Sequence, residues 1–166
     1  MHIRRERPDD AAAILHLIER AFASAPHSNG CEQFIVSALR RAGALTVSLV
    51  AEQAGRPIGH VAFSPVSLTD GSPHWYGLGP VSVEPRAQGV GVGSALIRQG
   101  LDVLRGIGAA GCVVLGEPSY YQRFGFRPLA TLRFRGPPPE YFLAQAFGTS
   151  QSHGEVSYHA AFAAEA

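Results

Sequence analysis

The chain has 166 residues, of which 46% are hydrophobic and 16% are charged. This length and composition are typical of one globular domain, residues 1–166, with a sizeable core. The net charge of +1 gives no general attraction for nucleic acid or an anionic membrane. Because the charged N-terminal segment leads into a run too short and interrupted for a signal peptide or a membrane span, we expect a cytoplasmic protein.

The first half of the chain predicts two helices followed by antiparallel strands. A short strand at His2–Arg5 precedes a helix opened by Pro8 and Asp9, because proline suits a first helical turn and apolar residues follow at helical spacing. A second helix ends before Gly43. Two alternating segments then predict strands joined by a hairpin at residues 54–56. The second helix and these strands are expected at residues 32–41, 45–53 and 57–68.

The second half predicts a strand, a helix and a parallel strand joined by a right-handed crossover. These three elements are expected at residues 74–85, 94–108 and 111–116. A short helix should follow at residues 118–124, and strands at residues 131–135 and 155–162 should complete the chain. The segment before the last strand begins with a proline run, residues 137–139, which predicts an irregular start.

Three glycines at every second position, Gly89, Gly91 and Gly93, precede the crossover helix. Glycine disfavours helix formation, so helix stability does not explain them. A helix N-terminus carries unpaired N–H groups and a partial positive charge, and glycines let an anion approach the backbone. The segment therefore favours phosphate binding, with Arg86 and Gln88 as further donors. A turn in which the glycines serve only close packing is the alternative.

Two other phosphate-binding motifs do not match. A P-loop requires a Gly–Lys pair, and the sequence contains none. A dinucleotide-binding turn follows the first strand of a parallel array and has the spacing GxGxxG, whereas this turn reads GVGVG and follows antiparallel strands.

Two motifs together resemble the GNAT N-acetyltransferase superfamily. The run VSVEPRAQGVGVGSAL, residues 81–96, resembles its acyl-CoA pyrophosphate motif, which Gln88, Gly91 and Gly93 match. The run YYQRFGFRP, residues 120–128, resembles a second signature in which a tyrosine lies four residues before Gly-Phe. One helix and one strand separate the motifs, as the family requires. The runs GEPSYYQRFGF and GEVSYHAAF are similar to its YhbS-like branch of predicted acetyltransferases.

The resemblance implies an α/β fold with a central, mostly antiparallel sheet of about seven strands, flanked by helices. The parallel fourth and fifth strands would be splayed, and acetyl-CoA would lie in the gap with its pantetheine along the fourth strand. Pro80 fits this gap, because proline removes one ladder donor and predicts a bulge or strand separation. The implied acetyl-CoA contacts are Val81, Ser82, Val83, Arg86, Gln88, Gly89, Val90, Gly91, Val92, Gly93, Ser94 and Tyr121.

The resemblance also gives Tyr121 the position of the family's general acid. An ordinary phenol has a pKa near 10, so it is protonated at neutral pH and can donate a hydrogen bond to the departing thiolate. The neighbouring aromatic residues are expected to pack in the core. They are Tyr120, Phe124 and Phe126.

The general base has no clear sequence signal. Family members often carry a base on the fourth strand, but residues 75–79 contain no carboxylate. Glu117, His74, Glu84 and water are therefore all candidates. Glu117 is preferred because it lies one helical turn before Tyr121. Its alternative role is structural, because a carboxylate at the start of a helix interacts favourably with the helix dipole.

The expected activity is acetyl transfer from acetyl-CoA to a primary amine of a small molecule, peptide or protein, by direct attack in a ternary complex. A non-catalytic acyl-CoA sensor on the same fold and a plain interaction domain are the alternatives. Cys112 begins an apolar strand without an adjacent base, so an acyl-cysteine intermediate is not expected. No metal, nucleic acid or membrane is an expected partner, and a homodimer is compatible with the sequence. The acceptor pocket is expected from the first two helices, residues 68–74 and the proline segment.

Overall fold

The computed structural model describes residues 1–149 and 151–166. These residues form an eight-stranded mixed sheet with α-helices packed around it. The strands are β1 (His2–Arg5), β2 (Val47–Gln53), β3 (Arg56–Leu68), β4 (Trp75–Val83), β5 (Gly111–Leu115), β6 (Leu132–Arg133), β7 (Phe142–Ala146) and β8 (Gly154–Tyr158). The helices are α1 (Ala11–Phe22), α2 (Glu32–Arg41), α3 (Val92–Gly106) and α4 (Pro118–Tyr121).

The sheet runs in the order β1-β2-β3-β4-β5-β7, and β8 pairs both with the far end of β3 and with β6. Among the strand pairs of the described residues, only β4–β5 and β6–β8 are parallel, so the expected mixed architecture is confirmed. The eighth strand is β7, which the sequence analysis placed in an irregular segment. The prolines form a short 3-10 turn at Pro139–Tyr141, and β7 begins directly after it and pairs with β5.

A bulge and a strand separation occur at the predicted place in β4. The register of β3 and β4 moves from Val61↔Val81 to Phe63↔Leu78, so β4 holds one extra residue at the cis peptide Gly79–Pro80. The parallel pairing of β4 with β5 extends only from Trp75 to Gly77. Beyond this point β5 continues beside β7 alone. The two parallel strands therefore part, which leaves a gap between them.

The helices cover both faces of the sheet because strand side chains alternate between faces. On one face, α3 packs against alternate residues of β2 and β3 such as Leu49 and Phe63. On the other face, α1 and α2 pack against the residues between them, Val50 and Ala62. The C-terminal end of α1 and the N-terminal end of α3 therefore approach the gap between β4 and β5 from opposite faces of the sheet.

We expect Gly100→Ala to lower the free energy of unfolding by about 1–3 kcal/mol, because the core has no room for another methyl group. A Cβ at Gly100 of α3 would overlap the ring of Phe63, which is fully buried. Gly106→Ala in the same helix is the matched control, because its Cβ would meet open space and alanine favours the helix by up to about 1 kcal/mol. Urea unfolding of both variants measures the difference, and equal stability would contradict the close approach of α3 to β3.

The N-terminus of α1 is held by a buried carboxylate. The helix expected from Pro8 begins instead as a 3-10 turn at Pro8–Asp10, and the α-helix follows from Ala11. Asp10 is 9% exposed and accepts hydrogen bonds from the Arg7 backbone N–H at 2.6 Å and from the Arg4 guanidinium at 2.7 and 3.0 Å. Arg4 also donates to Glu52 at 2.8 Å, so this ion pair ties α1 to β1 and β2.

The hydrogen bonds from Arg4, and next from the Arg7 backbone, hold the pKa of Asp10 at about 2 against an ordinary value of 3.8, although burial opposes this. Since the folded-state pKa is lowered from 3.8 to about 2, the stabilisation is complete above about pH 5 and is lost as the pH falls towards 2. We expect Asp10→Asn to cost roughly 2 kcal/mol at pH 7 and to remove this part of the acid sensitivity. Asp9→Asn, at an exposed position, is the control, and identical pH–stability curves for wild type and Asp10→Asn would refute this assignment.

Candidate functional site

The glycine turn lies between the end of β4 and the start of α3. A short 3-10 turn at Pro85–Ala87 is followed by Gly89 and Gly91 at φ 77° and 93°, in the left-handed region that favours glycine. The helix begins at Val92, two residues earlier than expected, with Gly91 as its N-cap. The Gln88 side chain donates to the carbonyl of Val83 at 3.0 Å. Gln88 therefore fixes the turn to β4, a role that the sequence did not predict.

A cleft of about 460 Å³ opens at this turn, and we call it the glycine-turn cleft. The turn and the first residues of α3 form one wall, and β4, α4 and the end of α1 form the others. Its lining residues are Ala21, Phe22, Val81, Val83, Ala87, Gln88, Gly89, Gly91, Val92, Gly93, Ser94, Tyr120, Tyr121 and Arg123.

Most of the predicted acetyl-CoA contacts line the glycine-turn cleft, but three do not. Ser82 is buried, with an Oγ that has no hydrogen-bond partner among the described residues. Arg86 and Val90 are exposed, Val90 to 78%, and neither lines the cleft. The Ser82, Arg86 and Val90 side chains are thus outside the cleft walls, while the other predicted contacts are brought together.

The glycine-turn cleft is suited to an anion. The first N–H groups of α3 have no helical acceptor, and the helix dipole adds positive charge there. A Cβ at Gly93 would lie 3.4 Å from the Tyr120 hydroxyl and 3.6 Å from Val83 Cγ2, so glycine keeps this wall of the cleft open. Arg123 adds a formal positive charge, and its guanidinium lies 4.7 Å above the Tyr120 ring. Arg123 was not predicted from the sequence, because nothing local distinguishes it from the other arginines of the chain.

Of the aromatic residues expected in the core, Phe124 and Phe126 are buried there. Tyr120 differs, because it is only partly buried and lines the glycine-turn cleft. Its ring makes edge contacts with Tyr121 and Phe124, at centroid distances of 5.0 and 5.3 Å. A tyrosine can pack its ring and expose its hydroxyl at the same time, so the expectation for Tyr120 was incomplete.

Tyr121 stands at the end of α4, packed by its edge against Phe126 at a centroid distance of 6.0 Å. A Cβ at Gly116 would overlap the Tyr121 ring, so this glycine lets the ring lie against the end of β5. Burial, and to a smaller extent Tyr120, raises the pKa of Tyr121 to about 12. The phenol is therefore a hydrogen-bond donor throughout the physiological pH range.

A second cleft of about 410 Å³ lies beside the first, and we call it the apolar cleft. Its lining residues are Phe22, Glu32, Ile35, Leu78, Gly79, Pro80, Val81, Leu115, Tyr121, Phe134, Tyr158 and Phe162. Phe22, Val81 and Tyr121 line both clefts. The two clefts therefore meet at the bulge of β4, where β4 and β5 part, with Tyr121 at their junction.

The acceptor pocket was expected to form from the first two helices, residues 68–74 and the proline segment. Only some of these elements line the apolar cleft. Phe22 at the end of α1 and Glu32 and Ile35 in the first half of α2 line this cleft. Among the described lining residues, none comes from residues 68–74 or from the proline run. Their place is taken by Phe134, Tyr158 and Phe162, because β8 pairs with the end of β3 and brings the C-terminal segment to this side of β4.

The candidate bases do not line either cleft among the described residues. Glu84 is paired with Arg20, whose guanidinium donates at 2.9 and 3.1 Å. Glu117 is exposed, precedes α4 as its N-cap and accepts from Ser119 Oγ at 3.4 Å. His74 is exposed before β4, roughly 20 Å from Pro80 at about 3.3 Å per strand residue. The assignment of Glu117 as general base stays a prediction.

Cys112 is fully buried in β5, and burial raises the pKa of its thiol well above the ordinary value. A buried neutral thiol is a poor nucleophile. Within residues 1–149 and 151–166, His, Cys, Asp and Glu side chains form no group of three or more that could hold a metal ion. None of the helices in that part of the chain has the length and apolar character needed to cross a membrane.

Comparisons with known proteins identify the family of this chain. The model of the acetyltransferase (GNAT) family matches residues 12–126. The chain is 41% identical over 143 residues to the uncharacterized N-acetyltransferase YhbS of Escherichia coli strain K12, covering 84% of this chain and 83% of that protein. The resemblance to the superfamily and to its YhbS-like branch is thereby confirmed.

Two similar crystal structures extend the comparison. A GNAT family acetyltransferase from Brucella melitensis in complex with acetyl-CoA is 53% identical, with a TM-score of 0.87 and coverage of 97% of both chains. Escherichia coli YhbS in complex with CoA is 38% identical, with a TM-score of 0.89 and coverage of 97% of this chain and 91% of that one. From its family match, its sequence identity and its shared fold, this chain belongs to the acetyltransferase (GNAT) family.

Proposed function

We propose that the protein is an N-acetyltransferase that binds acetyl-CoA in the glycine-turn cleft and a primary amine in the apolar cleft. The observation that carries this proposal is the junction of the two clefts at Val81 and Tyr121, in the gap between β4 and β5. Two substrates placed there can react directly, without a covalent enzyme intermediate. The acetyl-CoA and CoA complexes of the two similar proteins support the choice of donor.

Acetyl-CoA would be held along its length by backbone groups. Its pyrophosphate would accept hydrogen bonds from the free N–H groups at the start of α3, with Arg123 as a neighbouring cation. Its pantetheine would pair with the edge of β4 at Val81 and Val83, in the manner of an added strand. This edge is open because β5 leaves β4 after Gly77.

The reaction at the junction would be a single displacement through a tetrahedral intermediate. The lone pair of the neutral amine attacks the thioester carbonyl carbon, while a backbone N–H near Val81 stabilises the developing oxyanion. The carbon–sulfur bond then breaks and its electron pair leaves with sulfur. Tyr121 donates a hydrogen bond to this thiolate. The nitrogen of the intermediate loses one proton and the CoA thiolate takes up one, so a neutral amine and acetyl-CoA give the N-acetyl amine and CoA with no net proton, and an amine that enters as ammonium releases one proton in addition.

Water would accept the amine proton, because neither Glu117, His74 nor Glu84 lines the clefts in the described part of the chain. Because Glu117 is exposed and outside both clefts, it can accept the amine proton only through a bound water. Kinetics of Glu117→Gln distinguish the two cases. Unchanged turnover supports direct release to water, and a large loss of turnover restores Glu117 as the base.

Mass spectrometry of an amine panel incubated with acetyl-CoA tests the proposed function, with thiol release recorded in parallel. We expect an N-acetylated product and one equivalent of free CoA. Calorimetry shows in the same samples whether acetyl-CoA binds. Binding without any acetylated amine would indicate a sensor and overturn the proposal, and absence of binding would favour a plain interaction domain.

A further inference from the structure

The apolar cleft has one charged residue among its described lining side chains, Glu32 at the start of α2. Its Oε2 accepts a hydrogen bond from Ser28 Oγ at 2.9 Å, which orients the carboxylate. No described residue is recorded as a partner of the other oxygen, Oε1. A carboxylate with a free oxygen in an otherwise uncharged wall is suited to bind one cation, and charge-assisted hydrogen bonds are stronger than neutral ones.

A second polar group in this cleft also lacks a partner. The hydroxyl of Tyr158 is sealed from solvent and has no hydrogen-bond partner among the described residues. Its ring covers Gly77, where an added Cβ would approach Tyr158 Cε1 to 2.6 Å. Gly77 is the last β4 residue paired with β5. The Tyr158 ring therefore lies beside the point where the strands part.

Burial, with smaller contributions from Cys112 and Tyr121, raises the pKa of Tyr158 well above its ordinary value. The hydroxyl therefore stays neutral, and the Tyr158 ring adds an uncharged aromatic surface to the cleft.

The remaining walls are apolar. They include the aromatic rings of Phe22, Phe134 and Phe162 and the aliphatic side chains of Ile35 and Leu78. An apolar cavity of about 150 Å³ can hold a benzene ring, so a volume of about 410 Å³ has room for one or two rings and a short chain. A polycation or a sugar amine would leave polar groups without partners against these walls.

We propose that the acceptor is a small primary amine with an aromatic body, bound through its ammonium group to Glu32. Its rings lie among Phe22, Phe134 and Phe162. This inference names the acceptor class for the proposed N-acetyltransferase and rests on that function. In catalysis the ammonium must lose its proton before attack, so the pairing with Glu32 serves binding and orientation.

Calorimetric titration of the CoA-loaded protein with 2-phenylethylamine tests the binding site without requiring turnover. We expect it to bind at least about tenfold more tightly than ethanolamine or spermidine. Glu32→Gln should weaken its binding by about tenfold or more, whereas Glu19→Gln, on an exposed part of α1, should not change it.

The outcomes separate this inference from the proposed function. Equal affinity for the three amines, or an unchanged affinity in Glu32→Gln, would overturn the aromatic-amine site. Acetylation of ethanolamine or spermidine but not of 2-phenylethylamine would also overturn it, while leaving the N-acetyltransferase function intact. Conversely, selective binding of 2-phenylethylamine without acetylation of any amine would support the site and overturn the function.

Discussion

Replacing Tyr121 by phenylalanine should lower kcat by about 10²–10³-fold while the affinity for acetyl-CoA changes little. Tyr121 lies at the junction of the two clefts, where the sulfur of acetyl-CoA would stand. Without its hydroxyl, the departing thiolate loses the hydrogen bond that stabilises it. The ring itself remains and keeps its packing against Phe126. Steady-state kinetics together with calorimetry of acetyl-CoA binding measure both quantities.

Tyr141→Phe is the matched control for this variant, because Tyr141 is exposed and outside both clefts among the described residues. An unchanged kcat in Tyr121→Phe would reject the acid assignment. The pH profile gives a second test. With a pKa of about 12 for Tyr121, only about 1% of the phenol is ionised at pH 10. Ionisation of Tyr121 should therefore cause no loss of activity between pH 8 and 10.

Gly93→Ala should weaken acetyl-CoA binding by about tenfold or more, without lowering the stability of the free protein. The added Cβ would extend into the glycine-turn cleft, 3.4 Å from the Tyr120 hydroxyl. This distance is an ordinary contact in the unliganded protein, and alanine favours a helix by up to about 1 kcal/mol over glycine. A pyrophosphate bound against the α3 backbone would, however, meet the methyl group. Calorimetry and thermal unfolding of the same preparation separate the two effects.

Gly106→Ala provides the comparison within the same helix, because its Cβ meets open space at the other end of α3. It should share the gain in helix stability and bind acetyl-CoA normally. Normal acetyl-CoA affinity in Gly93→Ala would contradict binding of the pyrophosphate at the start of α3. The comparison of the two variants also tests whether Gly93 is glycine because acetyl-CoA binds against it.

Local patterns were sufficient to predict much of the fold. Alternating apolar residues predicted β2 and β3, and Pro80 predicted the bulge that separates β4 from β5. The strand β7 was missed because three prolines precede it, and the pairing with β5 that forms it depends on residues far away in the chain. A short strand of this kind is determined by tertiary contacts more than by its own sequence.

The candidate site was predictable only where its residues are neighbours in sequence. The glycine turn and Tyr121 belong to two compact motifs, so they could be identified without coordinates. Glu32 and Tyr158 could not, because they belong to α2 and β8 and reach one cleft through the pairing of β8 with β3. The hydrogen bond from the Gln88 side chain to the carbonyl of Val83, at the end of β4, was not predicted either.

Initial rates measured over a matrix of acetyl-CoA and amine concentrations test the central claim most directly. Direct transfer between two clefts that meet at Tyr121 requires both substrates to be bound together, so the double-reciprocal lines should intersect. The protein should also retain no acetyl group when it is incubated with acetyl-CoA alone, and the sequence has no lysine to be acetylated in a side reaction. Parallel lines together with an acetylated enzyme would contradict the account, because they would indicate a covalent intermediate.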